Sequence, residues 1–259
     1  MLLAINVNNT NTLVGLYEGA TLAVHWRLRT DPARTVDEWV VVLRGLFADW
    51  GMTRPPVGGI VLSSVVPPMN ERIEKLCQRL FGQAPLIVGP GVRTGVPILY
   101  DNPKEVGADR IANAVAATER MPGASIVVDF GTATTFDVVT AKGEYAGGVI
   151  VPGIGISLDA LIARTAKLPR VELAWPPKVL GRTTVHAIQA GVTYGYTALV
   201  DGLVERIREE QDRNARVLAT GGLAALIAPH STTIEAVDEF LTLDGLRIIY
   251  ARNGGRDAS

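Results

Sequence analysis

Charge of one sign, cysteine, histidine and long apolar runs are all scarce in this chain, and each scarcity removes a class of function. Its 25 Lys and Arg residues set against 26 Asp and Glu leave a formal net charge of −1. No basic excess exists to neutralise phosphates, so neither nucleic acid nor a membrane surface is an expected partner. The one cysteine, Cys77, falls in a helical pattern beside Leu76 and Leu80 and has no second thiol within the chain to pair with. That usage fits a reducing cytoplasm. No histidine lies near Cys77 in sequence, so a buried, inert thiol is expected there and not a nucleophile. His25, His186 and His230 are scattered without metal-ligand spacing. The N-terminus lacks a basic, then apolar, then small-residue leader, and no apolar stretch reaches spanning length. A soluble, cytoplasmic protein is expected. With 259 residues, 47% of them hydrophobic, it can form one large domain or two lobes of ordinary size.

What is present is organised around two similar stretches. In the first, the apolar run Leu2-Leu3-Ala4-Ile5 enters Asn6-Val7-Asn8-Asn9-Thr10-Asn11-Thr12, and Leu13-Val14-Gly15-Leu16 leaves it. That pattern predicts strand, polar turn and returning strand. Asn and Thr satisfy local backbone groups in such turns. The same turn leaves hydroxyls, amides and backbone N–H groups pointing outward, as a loop that holds phosphate does. Taken alone it reads more readily as a plain hairpin reversal. A third strand is expected over residues 21–28. A helix follows, capped by Thr35, with Val36, Trp39, Val40, Leu43 and Phe47 on one face. Residues 59–65 read as a buried strand ending in Ser63 and Ser64. Pro67 and Pro68 then open a helix carrying Ile73, Leu76, Cys77 and Leu80. A short strand at residues 85–88 leads to a Gly- and Pro-rich loop over residues 89–107, long enough to mark a functional segment. A helix is expected from Ala108 to about Arg120.

The opening pattern then returns. Ser125-Ile126-Val127-Val128-Asp129-Phe130 enters Gly131-Thr132-Ala133-Thr134-Thr135, and Phe136-Asp137-Val138-Val139 leaves. Aligned on the turns, Asn6 lies opposite Asp129, Asn8 opposite Gly131, Asn9 opposite Thr132 and Thr12 opposite Thr135. A third strand over residues 145–151, helices, a strand at residues 216–219 and Thr220-Gly221-Gly222 opening another helix complete the second half. The chain reads as two copies of one βββ-then-α/β unit joined near residues 121–123. Two such turns can grip a nucleotide phosphate chain from both sides, which strengthens the phosphate reading beyond what one turn supports.

The two turns, together with Asp101-Asn102-Pro103-Lys104-Glu105-Val106-Gly107-Ala108-Asp109-Arg110, closely resemble type III pantothenate kinase. That family belongs to the acetate kinase, sugar kinase, heat-shock ATPase and actin superfamily. The resemblance runs nearly end to end, through Gly147-Gly148-Val149-Ile150-Val151-Pro152-Gly153, Thr183-Thr184, Gln189-Ala190-Gly191, Ala219-Thr220-Gly221-Gly222 and Leu241-Thr242-Leu243-Asp244-Gly245-Leu246. It implies an α/β fold of two duplicated ribonuclease-H-like (actin-like ATPase) lobes, with mixed sheets flanked by helices. Residues 1–120 would form the N-terminal lobe and residues 121–259 the C-terminal one. It also implies ATP-dependent phosphorylation of pantothenate to 4′-phosphopantothenate, the first step toward coenzyme A. A homodimer, Mg²⁺ and a monovalent cation, K⁺ or NH₄⁺, are implied with it.

Residue by residue, the resemblance makes Asp109 the general base that takes the proton from the attacking hydroxyl. A first-turn Asp also simply complements a helix dipole. Tyr100, Gly107, Ala108, Arg110 and Thr184 would contact pantothenate. Arg110 suits either its carboxylate or a phosphate, or an ion pair with Glu105 or Asp101. Tyr100 is otherwise an ordinary half-buried wedge, and Thr184 otherwise caps the helix carrying Val185 and Ile188. Asn6, Val7, Asn8, Asn9, Thr10, Asn11, Thr12 and Thr132 would bind ATP phosphates, Gly221 and Gly222 the adenosine side. Asp129 would coordinate the monovalent cation. Lys104 has no P-loop around it and reads as a solvated or structural lysine. The helix from Val185 to about Arg213 carries Leu199, Leu203 and Ile207 on one face, for a dimer interface or for its own lobe.

One departure stands out. The family's first turn reads Asp-x-Gly-Asn-Thr, whereas this chain has Asn6-Val7-Asn8-Asn9-Thr10. Asn6 keeps an acceptor oxygen but loses the negative charge, so Mg²⁺ should be held more weakly. Asn8 would have to visit the left-handed region in place of glycine. Three readings follow: an active kinase of this family, a catalytically impaired member that binds ligand in a regulatory or accessory role, and a kinase for another small alcohol or acid.

Overall fold

A computed structural model describes residues 1–254. The chain separates into two compact units, one of Met1–Ala116 with residues 241–254, the other of Ala117–Phe240.

In the first unit, β1 (Leu2–Val7), β2 (Asn11–Glu18), β3 (Thr21–Arg29), β4 (Gly59–Ser64) and β5 (Leu86–Ile87) form one mixed sheet in the order β3-β2-β1-β4-β5. β1 runs antiparallel to β2 and parallel to β4. Alternation puts Leu3, Ile5 and Val7 on one face, packed with Val14, Leu16, Ile60 and Leu62. Helices α1 (Val36–Asp49) and α2 (Pro67–Phe81) cover that face with Trp39, Leu43, Phe47, Met69, Ile73 and Leu76. α1 starts where the sequence predicts. The Thr35 Oγ1 accepts from the Glu38 N–H at 3.3 Å, and Glu38 Oε2 accepts from the Thr35 N–H at 2.7 Å, a reciprocal capping box. Cys77 lies in this core, and burial pushes its thiol pKa up to about 12, so it is inert.

The expected lobe boundary differs at the C-terminus. Helix α7 (Leu241–Arg252) belongs with the first unit, because its buried Leu241, Leu243, Leu246 and Ile249 face that unit's sheet. Glycines admit it: a Cβ at Gly15 would sit 2.8 Å from Leu243 Cδ1, and one at Gly245 would sit 1.9 Å from the Ala112 carbonyl oxygen. The Tyr17 hydroxyl donates to Asp244 at 2.7 Å. Helix α3 (Ala108–Arg120) contains the division between units, at Ala116.

The second unit repeats the plan with β6 (Ser125–Phe130), β7 (Ala133–Val139), β8 (Tyr145–Pro152), β9 (Arg216–Thr220) and β10 (Ala236–Val237), ordered β8-β7-β6-β9-β10. Three antiparallel strands followed by two parallel ones recur in the same relation, so the duplicated α/β fold read from the sequence is present. Helix α5 (Thr184–Glu210) closes one face, packing Tyr196, Val200, Val204 and Ile207 against Ile126, Val128, Phe136 and Val217. Of the face expected from the sequence, Ile207 lies in this core. Leu203 is partly buried, and Leu199 is 37% exposed, on the side of the helix turned away from the core. The shorter helices α4 (Ile154–Ala163) and α6 (Ala224–Ile227) complete the unit.

Candidate active site

Strand pairing decides what each turn offers. β1 and β2 remain paired to Val7 and Thr12, leaving residues 8–11 as the first turn, whereas β6 and β7 remain paired to Phe130 and Thr134, leaving 131–133. The first turn is therefore one residue longer, and Thr12 corresponds to Thr134, not to Thr135 as the turn alignment had it. Asn6 and Asp129 do correspond, since Asn6 lies beside Ser63 of β4 and Asp129 beside Thr220 of β9 in the parallel ladders.

The Asn8 N–H closes the first turn onto the Asn11 carbonyl at 3.0 Å. Among the described residues no side-chain-bearing residue has a positive φ. Asn8 therefore does not visit the left-handed region, and neither does its counterpart Gly131, so neither turn calls on a glycine's left-handed freedom at that position. Asn9, Thr10 and Asn11 are exposed at the tip, while Val7 is buried in the core. Thr12 is fully buried, 2.9 Å from the Thr30 hydroxyl. It lies beneath the turn and does not face outward as a phosphate ligand.

Asn6 is 3% exposed, and its Oδ1, with Ser63 Oγ beside it and Asn8 Oδ1, is buried without a hydrogen-bond partner among the described residues. A buried orphaned oxygen is costly unless something else meets it. No cluster of three or more His, Cys, Asp or Glu side chains fit for a metal ion occurs among the described residues. Mg²⁺ bound with substrate phosphates needs only one or two protein oxygens, its remaining positions taken by phosphate and water. An uncharged amide oxygen at Asn6 fits that ion, at reduced strength.

In the second unit Asp129 is half-buried at the end of β6. Gly221, at φ +88°, is held against it: an added Cβ would lie 2.5 Å from Asp129 Oδ1 and 2.7 Å from the Phe130 backbone nitrogen. Only glycine satisfies both demands. The expected helix directly after Gly222 is instead a turn, with α6 beginning at Ala224. Thr132 is exposed, and its carbonyl accepts from the Gly153 N–H at 3.0 Å. A Cβ on Gly153 would lie 2.2 Å from that same oxygen, so α4 starts hard against the turn.

The run of residues 101–110 is folded by its own side chains. Asn102 Oδ1 accepts from the Lys104 N–H at 3.3 Å and its Nδ2 donates to Glu105 Oε1 at 2.7 Å, which winds residues 103–105 into a 3₁₀ turn. Glu105 is thus held by Asn102, and Lys104 is exposed. Tyr100 is half-buried in irregular chain, not at a strand end. Helix α3 then begins at Ala108. Asp109 Oδ1 accepts from the Arg110 N–H at 2.8 Å. Burial raises the Asp109 pKa above the ordinary 3.8, opposed by that hydrogen bond and by the Arg110 charge. Gly107 has a specific role: a Cβ there would lie 2.5 Å from Asp109 Oδ1, so the missing side chain makes room for the carboxylate. Arg110 is buried to 8% exposure.

At the start of α5 the cap is Thr183, whose Oγ1 accepts from the His186 N–H at 3.1 Å, and not Thr184. Thr184 is left exposed and lines a groove of about 810 Å³ with Ser157, Leu161, Arg182, Ile188 and Tyr196. Thr30, Ser63, Gly153, Thr183 and Tyr196 are brought to these turns and caps by the fold and are not marked as site residues by the sequence. Ser63 and Gly153 stood in stretches already noted, but Thr30 and Tyr196 carry no local signal.

These features coincide with a family. The model of type III pantothenate kinase matches residues 2–206. A type III pantothenate kinase of Anaeromyxobacter dehalogenans is 58% identical over 253 residues, covering 98% of this chain and 100% of that protein. Among solved structures, a conserved putative Baf family transcriptional activator from Campylobacter jejuni superposes with TM-score 0.61 at 19% identity, covering 98% of this chain and all of that one. A putative 2-dehydro-3-deoxygalactonokinase from Sinorhizobium meliloti gives 0.57 at 12%, covering 98% and 96%. Those two likenesses speak to the fold of duplicated lobes alone. With the family model spanning most of its length and relatives above half identity end to end, the chain belongs to the type III pantothenate kinase family.

Proposed function

We propose that this protein transfers the γ-phosphoryl group of ATP to the primary hydroxyl of pantothenate, giving 4′-phosphopantothenate for coenzyme A synthesis. The observation that carries the reading is Asp109: a carboxylate of raised proton affinity at the first turn of α3, given room by Gly107 within the family's substrate run. A primary alcohol is a weak nucleophile, and a positioned carboxylate orients it and accepts its proton as the P–O bond forms. Arg110 pairs with the pantothenate carboxylate, with Tyr100, the Gly107–Ala108 backbone and Thr184 completing the substrate contacts. The tips of the two turns bind the phosphates, Gly221 and Gly222 the adenosine side. Mg²⁺ supplies charge neutralisation for the transferring phosphoryl group, with Asn6 as its protein oxygen, and Asp129 holds K⁺ or NH₄⁺.

The Asn-bearing first turn does not favour an impaired, regulatory protein, since Asn8 needs no left-handed backbone. The lost charge at Asn6 instead sets Mg²⁺ affinity. Ile156, Leu161, Val185 and Leu199, exposed apolar residues of α4 and α5, support a homodimer through the second unit. No helix among the described residues is long and apolar enough to cross a membrane, which with the unpaired Cys77 supports a cytoplasmic location.

Purified protein with ATP, Mg²⁺, K⁺ and pantothenate should release ADP and 4′-phosphopantothenate, identified by mass spectrometry. Asn6→Asp should lower the Mg²⁺ concentration for half-maximal rate. Absence of product at every Mg²⁺ concentration would overturn the assignment.

A further inference from the structure

Each turn adjoins a buried relay of hydroxyl protons, and the two relays share a corresponding threonine but differ in the hydroxyl it donates to. In the first unit Thr30 Oγ1 lies 2.6 Å from the Asn8 carbonyl oxygen and 2.9 Å from Thr12 Oγ1. A carbonyl only accepts and a threonine has one hydroxyl proton, so Thr30 donates to Asn8 and Thr12 donates to Thr30. In the second unit the Tyr196 hydroxyl lies 2.7 Å from the Pro152 carbonyl oxygen and 2.8 Å from Thr134 Oγ1. The same reasoning makes Tyr196 donate to Pro152 and Thr134 donate to Tyr196. Thr12 and Thr134 occupy corresponding places, each paired with the last residue of its entering strand, Val7 or Phe130.

The backbone correspondence goes further. The Thr30 N–H donates to the Thr10 carbonyl at 2.9 Å, and the Gly153 N–H donates to the Thr132 carbonyl at 3.0 Å. Thr30 and Gly153 both follow the third strand of their sheets. In the first unit that residue carries the bracing hydroxyl. In the second, a Cβ would lie 2.2 Å and 2.5 Å from the Thr132 and Gly131 carbonyl oxygens, so no side chain fits. Tyr196, reaching from α5, supplies a hydroxyl that bonds the carbonyl of Pro152, the residue before Gly153. Thr12, Thr30, Thr134 and Tyr196 are all buried, where a lost partner is most costly.

We infer that Thr30 and Tyr196 are positioning residues for nucleotide phosphate, each fixing through its relay the turn whose outward groups meet the phosphate chain. The inference rests on the proposed reading that both turns bind ATP. Neither side chain touches the nucleotide: Thr30 holds the Asn8 carbonyl of the first turn, and Tyr196 ties Thr134, which follows the second turn, to Pro152, next to the Gly153 N–H that bonds the Thr132 carbonyl. Loosening a turn disperses its outward N–H and hydroxyl groups, which weakens a triphosphate and leaves adenosine contacts alone.

The test is equilibrium binding to the full-length protein of a non-hydrolysable ATP analogue and, separately, of adenosine, with melting curves as a check on folding. Thr30→Val and Tyr196→Phe should each weaken the analogue about tenfold, the effect of one lost buried hydrogen bond, with adenosine unchanged within about twofold. Thr30→Ser, which keeps the hydroxyl, should bind like wild type. Thr12→Val combined with Thr30→Val should cost no more than Thr30→Val alone, because both belong to one relay. In steady state the loss should fall on KM for ATP and not on KM for pantothenate. Folded Thr30→Val and Tyr196→Phe proteins that bind the analogue normally would overturn the inference, as would equal weakening of adenosine or failure of Thr30→Ser to restore binding. A wild-type protein that binds no ATP analogue would instead sink the proposed function and leave no phosphate for the relays to serve.

Discussion

Gly107→Ala isolates the placement of one carboxylate from everything else the fold does. The added Cβ would lie 2.5 Å from Asp109 Oδ1, and ordinary contact begins near 3.4 Å, so the oxygen must retreat by roughly 0.9 Å. The next nearest neighbour, Val65 Cγ1 at 3.6 Å, is not disturbed, and Gly107 is not at a positive φ. Nothing else forbids alanine, and the cost to stability should be below about 1 kcal/mol. Displacing a reacting group by about 1 Å costs on the order of 100-fold in rate, or about 2.7 kcal/mol of barrier. The retreat also strains the 2.8 Å bond from the Arg110 N–H, one of the influences holding the Asp109 pKa down. Coupled ADP-release kinetics should therefore show kcat reduced about 100-fold, KM for ATP within about twofold, and the acid limb of the rate profile moved to higher pH. A cooperatively folded variant with kcat within about threefold of wild type would refute the placement of Asp109 Oδ1 as the working base.

The titration of Asp109 carries a second prediction, with a definite sign. Burial raises its folded-state pKa above 3.8, so the native state holds that proton more tightly than the unfolded chain. The contribution favours folding at low pH and is lost as pH rises from about 3.8 through the raised value. Asp109→Asn should thus melt at higher temperature than wild type at pH 7, the difference vanishing below about pH 3.8, while turnover falls by roughly 10²- to 10⁴-fold; equal melting temperatures at pH 7 would argue against the shift. Thr35→Ala removes the capping box of α1 and should cost about 1 kcal/mol in urea unfolding with kcat unchanged, since α1 only covers the sheet. A loss of activity in that variant would mean α1 does more than pack.

Legibility followed the range over which each property is decided. The start of α1 at Thr35, the onset of α3 at Ala108 and the two strand–turn–strand stretches were readable because caps and hydrophobic period act over a few neighbouring residues. Thr183, and not Thr184, caps α5, a one-residue miss in an adjacent pair that either residue's chemistry allowed. The stripe of α5 that is buried runs through Tyr196 and Val200, because the face a long helix turns inward depends on the sheet it meets.

The amino-acid sequence by itself determined that the chain is a duplicated α/β protein with two polar turns and a carboxylate at the head of a helix, since composition, period and motif carry that much. Tertiary structure alone decided the rest. Register made the first turn one residue longer and set Thr12 against Thr134. Neither Asn8 nor its counterpart Gly131 takes a left-handed backbone, so the first turn needs no glycine there. Packing returned α7 to the first unit and brought Thr30 and Tyr196 beneath the turns. These outcomes depend on which residues meet across strands and between distant elements, and such meetings leave no mark on neighbouring residues.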